Sequence, residues 1–189
     1  GVAIAIDDLA ACARAFDELE VPALAVATEP DAFAGRLDDL IAVAATAAAP
    51  VLRYDCIADE ERLYESRLAG ADAVLVPVAV VGDALARLVA LARAVHVVVL
   101  AEVATRAECA LALAAGAPVI TLAAGALALA AEVPLRWPVI AQEDLAEPAD
   151  LARVLGHADA VLVGSALFAG PDPSARARAF VDAAAALAA

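Results

Sequence analysis

Six carboxylates stand at or just beyond the ends of short apolar runs: Asp7, Glu29, Asp55, Glu102, Glu143 and Asp144. Side chains gathered at one end of a set of parallel strands could move protons, or could hold a hard divalent cation through oxygen. No close acidic motif fixes a cation geometry, so neither a metal nor any other cofactor is implied. Tyr54 lies beside Asp55 in PVLRYDC. Its ordinary pKa is near that of lysine, but its acid form is neutral, so it cannot hold an anion as an ammonium group does. An inward aromatic that fills space is the better reading of it than a general acid. Gly164-Ser165, in ADAVLVGSALF, offers backbone amides that could face a phosphate where a short helix begins.

The cations available to such a site are few. Arg36 and Arg106 fall in or beside the segments after strands, and Arg53 lies within one. All twelve basic residues are arginine, and the net charge is -14. No step here can use a lysine. A phosphate drawn into an acidic, partly desolvated mouth is costly without paired cations. The same acidity disfavours nucleic acid and anionic membrane as partners. Cys12, Cys56 and Cys109 are odd in number and lack CxxC spacing, which suits reduced thiols in a cytoplasm. Hydrophobic residues make up 65% of the chain, yet Gly, Pro, Asp or Arg interrupts every run before it reaches the length of a membrane span. The start of the chain has no basic stretch ahead of VAIAI, so a signal peptide is not expected.

The elements that would position these groups recur regularly. Apolar runs begin near Val2, Ala23, Val51, Ala73, Val97, Val119, Val139 and Ala160. Between them, helical patterns cover Asp8–Leu19, Asp38–Ala48, Asp59–Ala69, Asp83–Ala94, Thr105–Ala115 and Pro148–Leu155, and Pro173–Ala188 follows the last run. Several of these open on an Asp or Thr suited to N-capping. Strands that are almost continuously apolar, each followed by a helix, predict a parallel sheet buried on both faces. Eight such units predict a single-domain α/β (β/α)8 TIM barrel over residues 1–189, with functional groups at the C-terminal strand ends. The sixth unit, Ala123–Trp137, leaves room only for a short or irregular helix. ADAVLV occurs twice, at Ala71–Val76 and Ala158–Val163, each time after a glycine suited to a left-handed helix end. A four-unit offset fits two similar half-barrels. His96, His157 and Trp137 fall near strand starts and read as structural.

PVLRYDCIADEERLYESRLAGADAVLV, LAEVATRAECALALAAGAPVI, AVATEPDAFAGRLDDL and ADAVLVGSALFAGPDP resemble the indole-3-glycerol phosphate synthase family of tryptophan biosynthesis across nearly the whole chain. The resemblance implies a barrel that closes a pyrrole ring on an anilino-deoxyribulose phosphate, using lysine, carboxylates and a phosphate cradle. Tyr54 stands where the family has its third-strand lysine. Ala5 and Asp7 align with a glutamate and a second lysine, and the phosphate-contacting loop after the first strand is shortened. Ala123 replaces an asparagine, Gln142 a glutamate and Asp144 a phosphate-binding glycine. Glu102 is kept as a relic or a residual acid/base, and Gly164-Ser165 keeps the eighth-strand turn.

These differences lead to the expectation of a degenerate homologue, a pseudoenzyme that has lost the synthase activity and acts by binding or regulation. The alternative is an active synthase, or a repurposed lyase of a phosphorylated substrate, working through Glu102. A protein partner, self-association and a phosphorylated small molecule are all left open as partners.

Overall fold

The computed structural model describes residues 9–188. The predicted first strand, with Ala5, Asp7 and the start of the segment after it, lies outside the described residues. Seven parallel strands follow in sequential order: β1 (Leu24–Ala27), β2 (Val51–Tyr54), β3 (Ala73–Pro77), β4 (Val98–Val103), β5 (Val119–Leu122), β6 (Val139–Ala141) and β7 (Ala160–Val161). They correspond to the second to eighth predicted runs. Each pairs with its neighbour in parallel register, for example Leu24 with Val51, Ala73 with Val98 and Leu100 with Val119.

The helices are α1 (Leu9–Asp17), α2 (Pro30–Phe33), α3 (Leu37–Ala44), α4 (Glu60–Leu68), α5 (Val78–Val81), α6 (Leu85–Ala94), α7 (Arg106–Ala114), α8 (Leu151–Leu155) and α9 (Pro173–Ala188). Capping explains several starts. The Asp59 carboxylate accepts from the Arg62 N–H at 2.8 Å, and the Thr105 hydroxyl accepts from the Glu108 N–H at 3.3 Å. At α3 the carboxylate that reaches back is Asp39, which accepts from the Arg36 N–H at 2.9 Å. The segment between β5 and β6 contains a 3-10 run, Leu127–Glu132.

Strand alternation sorts the core into two sides. On the helix side, Val74, Val76, Val99, Ala101, Ile120 and Leu122 pack beneath Leu85, Leu88, Val89 and Leu151. On the inner side, Leu52, Leu75 and Leu100 are joined by Tyr54, Val119, Ile140 and Leu162. Both faces are lined by apolar side chains, which is why the strands read as unbroken apolar runs. This is a TIM-barrel-like α/β fold.

The ADAVLV repeat has a physical role. The Asp72 carboxylate accepts from the Val51 N–H at 2.9 Å, and the Asp159 carboxylate accepts from the Val139 N–H at 2.8 Å. Each copy therefore secures the start of the strand before it. The glycines ahead of the two copies differ. Gly70 is left-handed (φ +94), and a Cβ there would sit 2.8 Å from the Ala44 Cβ. Gly156, expected to be left-handed as well, keeps a right-handed φ of -73. It ends a helix of only five residues that closes through the Gly156 N–H to the Val154 carbonyl.

Candidate functional site

The C-terminal ends of β2, β4 and β6 bring three side chains together. Leu52 and Tyr54 face the inner side of β2, and Leu100 and Glu102 do so on β4. Gln142 follows Ala141, the last residue of β6, and its N–H is held by the Leu122 carbonyl at 2.9 Å. The Tyr54 hydroxyl donates to Gln142 Oε1 at 2.8 Å, and Gln142 Nε2 donates to Glu102 Oε1 at 2.8 Å. The amide's orientation follows from its neighbours. An ionised Glu102 only accepts, so the amino group must face it and leaves the carbonyl oxygen for the phenol. Burial pushes the Tyr54 phenol above its ordinary pKa, and the Glu102 charge pushes it the same way. Tyr54 is therefore a neutral donor at any physiological pH. The amide between phenol and carboxylate neither gains nor loses a proton in this range, so the chain is a brace and not a relay.

Asp55 does not face the mouth as the strand-end rule suggested. It is one residue out of phase with Tyr54, and its side chain is fully buried on the helix side. Thr28 Oγ1 donates to it at 2.6 Å, the Cys56 N–H at 2.7 Å, Arg62 at 2.6 Å and Arg53 at 3.2 Å. Arg53, also turned outward, donates to the Thr28 hydroxyl at 2.9 Å, Glu65 at 2.7 Å and Ser66 at 3.1 Å. Burial alone would raise the Asp55 pKa. The hydrogen bond from Thr28, Arg62, the Cys56 N–H and Arg53 together outweigh it and hold the carboxyl below the ordinary value. This buried cluster fixes β2 against α4 and so sets where Tyr54 points.

The other predicted groups are dispersed. Glu143 accepts from the Gly125 N–H and from Arg153, both at 3.1 Å. Asp144 is exposed, and Glu29 is half-buried after β1. Ala123 is half-buried, with its N–H on the Val103 carbonyl. Gly164 and Ser165 are exposed, and Ser165 opens the four-residue 3-10 run Ser165–Phe168. The cation tied to that run is Arg176. It donates to the Ala166 and Ala146 carbonyls and makes two contacts with Glu147, at 2.9 and 3.1 Å. Arg36 is paired with Asp39, Arg106 with Glu132 and Arg153 with Glu143. The guanidinium groups around the strand ends thus already have carboxylate partners.

No group of three or more His, Cys, Asp or Glu residues able to hold a metal occurs among the described residues. Burial raises the pKa of all three thiols, which keeps them protonated and poorly nucleophilic. His96 and His157 are exposed in turns before strands, and Trp137 donates its indole N–H to the Ala117 carbonyl at 2.9 Å beneath the Arg136 guanidinium. Two open surface hollows lie away from the strand ends, one between α3 and α4 and one beside the start of β4. No helix among the described residues is long and apolar enough to cross a membrane.

Sequence reasoning underrated Gln142, the only glutamine of the chain, and missed Thr28 and Ser66. It also missed Thr121, whose buried hydroxyl has no hydrogen-bond partner among the described residues. The signal for Gln142 was its position directly after an apolar run, the same signal that marked Glu102. Thr28 and Ser66 carried none, because their partners, Asp55 and Arg53 for Thr28 and Arg53 and the Arg62 carbonyl for Ser66, are set by the fold.

Among solved structures, N-(5'-phosphoribosyl)anthranilate isomerase from Pyrococcus furiosus has a TM-score of 0.70 at 19% identity, covering 90% of this chain and 94% of that one. A 3-hexulose-6-phosphate synthase has a TM-score of 0.75 at 19% identity, covering 94% of this chain and 93% of the other. At such identities the likeness concerns the fold alone. Sequence relatives are nearer. The indole-3-glycerol phosphate synthase of Deinococcus radiodurans is 34% identical over 193 residues, 95% of this chain and 72% of that protein. The one from Mycobacterium leprae is 36% identical over 183 residues, 90% and 67% respectively. The family profile of indole-3-glycerol phosphate synthase matches residues 2–180. A match of that extent makes this chain a member of the indole-3-glycerol phosphate synthase family.

Proposed function

We propose that this chain is a (β/α)8 barrel of the family that does not perform the family's ring closure and acts as a non-catalytic binding or regulatory homologue. The observation that carries this reading is the Tyr54–Gln142–Glu102 brace. It joins the three strand ends where the resemblance expects a lysine and two carboxylates, and uses their hydrogen-bonding groups on one another. A phenol there gives no positive charge to an anionic substrate, and an amide gives no second proton-transfer group. The paired arginines around the strand ends support the same reading for Gly164-Ser165, which serves as a turn and not as a phosphate cradle. The protonated thiols fit a reducing, cytoplasmic setting.

The alternative is favoured by one residue. Glu102 remains at the end of β4, half-buried and hydrogen-bonded, where an acid or base would stand. The deciding experiment incubates purified protein with the anilino-deoxyribulose phosphate and measures indole-glycerol phosphate. We expect none above background. Product that disappears in Glu102→Gln would establish the alternative instead. Titration with inorganic phosphate, followed by backbone amide shifts, should leave Gly164 and Ser165 unmoved.

A further inference from the structure

An open groove of about 700 Å³ runs between α3 and α4. Its floor is apolar. Ile41 is 46% exposed, Tyr64 45% and Leu68 89%, and these are three of the seven large hydrophobics exposed among the described residues. Tyr64 and Leu68 are four apart on α4 and so share one stripe. The two helices are held in place nearby, since Gly70, just past α4, lies against Ala44 at the end of α3. The surface is therefore a preformed groove.

The charged residues that line it are all acidic. Glu60, Glu61 and Glu65 line the groove, and no arginine does. The arginine of the first turns of α4, Arg62, is drawn away to the buried Asp55. Glu65 is held from beneath by Arg53 and Glu60 is paired with Arg87, which leaves Glu61 as the lining carboxylate with no ion pair among the described residues. An occupant must bring apolar side chains on one face and positive charge at its edge. A second copy of this chain fits poorly, because it would set acidic rims against each other in a protein of net charge -14.

We propose that the groove between α3 and α4 docks a basic amphipathic helix of another protein. Apolar side chains of that helix cover Ile41, Tyr64 and Leu68, and its cations meet the glutamate rim, the helix-in-groove mode of recognition. The surface is remote from the Tyr54–Gln142–Glu102 brace, so the inference stands or falls independently of synthase activity.

The test uses a fluorescent peptide of about 14 residues, roughly four helical turns, with leucine on one face and lysine on the other. Anisotropy titrations compare the unaltered chain with Leu68→Ser, Glu61→Lys and Glu18→Lys, the last making the same charge change at an exposed residue outside the groove lining. All four are first checked for cooperative thermal unfolding, and Ile41→Ser replaces Leu68→Ser if that variant does not fold. Saturable binding is expected, weakened about tenfold by Leu68→Ser and by Glu61→Lys but not by Glu18→Lys. A peptide with glutamate in place of lysine should not bind. Equal affinity for both peptides, or equal loss in Glu18→Lys and Glu61→Lys, would reduce the effect to general charge attraction and overturn the proposal. Sedimentation showing a dimer that Leu68→Ser dissociates would assign the groove to a second copy, which also overturns it.

Discussion

Gln142 separates two groups that would otherwise act on one another. Its amide accepts from a phenol and donates to a carboxylate, and both contacts are 2.8 Å. Gln142→Glu would place two carboxylates within hydrogen-bond distance, and one of them must then bind its proton more tightly. A carboxyl whose folded-state pKa is raised loses stability as pH climbs above its unfolded value. The substitution should therefore be nearly neutral at about pH 4 and cost about 1–2 kcal/mol at pH 8. Urea midpoints at the two pH values measure it; equal loss at both would mean that the brace is not holding the amide beside Glu102. Asp55 has the opposite sign. Its carboxyl is held below the ordinary value, so its contribution is fully present above the unfolded pKa and disappears as pH falls through the folded one. Asp55→Asn removes the charge that balances buried Arg53 and should cost about 3 kcal/mol at pH 7. That deficit should narrow in acid, where the unaltered chain loses the same interaction. A pH-independent deficit in thermal unfolding would show that packing, and not charge, is what Asp55 supplies.

At the scale of elements, the two ADAVLV segments do the same job in two places. Asp72 holds the start of β2 and Asp159 the start of β6, each by an N–H bond to the strand before its own. Asp72→Ala and Asp159→Ala should each cost about 1 kcal/mol, and because the sites share no partner the double variant should cost the sum. Denaturant titration of the single and double variants checks this, and clear non-additivity would couple the two halves of the sheet. The strands were legible because both faces of the sheet are lined by apolar side chains, so that apolar runs such as AVLV and VITL mark them directly. Helix starts at Asp59 and Thr105 were legible through their caps. Which face a strand-end residue takes was not, because that depends on its parity with residues such as Leu52 and Leu75. Asp55 was misassigned for this reason, while Tyr54, one position earlier, lies on the inner side with Leu52. Glu102 could be seen by its type and position, whereas the brace required knowing that β2 and β6 converge. Two strands far apart in the chain give no local signal of that.

The charge of the molecule sets its response to salt. With 26 acidic and 12 basic residues, the native chain confines an excess of negative charge in a compact volume, and expansion on unfolding relieves it. Opposing this are the ion pairs, which salt also weakens. Several have a strongly exposed partner, such as Arg36 at 71%, Arg87 at 77% and Arg106 at 82%, and pairs of that kind contribute about 0–1 kcal/mol each. The buried Arg53–Asp55 pair is shielded from ions and changes little. The Debye length falls from about 30 Å at 0.01 M to about 8 Å at 0.15 M, which removes repulsion across the fold before it removes contacts at hydrogen-bond distance. The melting temperature at pH 7.5 should therefore rise between 0.01 and about 0.2 M sodium chloride and then level off. Differential scanning calorimetry across that series measures it. A steady fall would mean that the surface pairs outweigh the net charge. Together with the Glu61→Lys variant, the same series separates the general field of the chain from the local rim of the groove. Removing one carboxylate should raise the low-salt melting temperature slightly wherever on the surface it lies, while only a change at the rim should weaken the basic peptide.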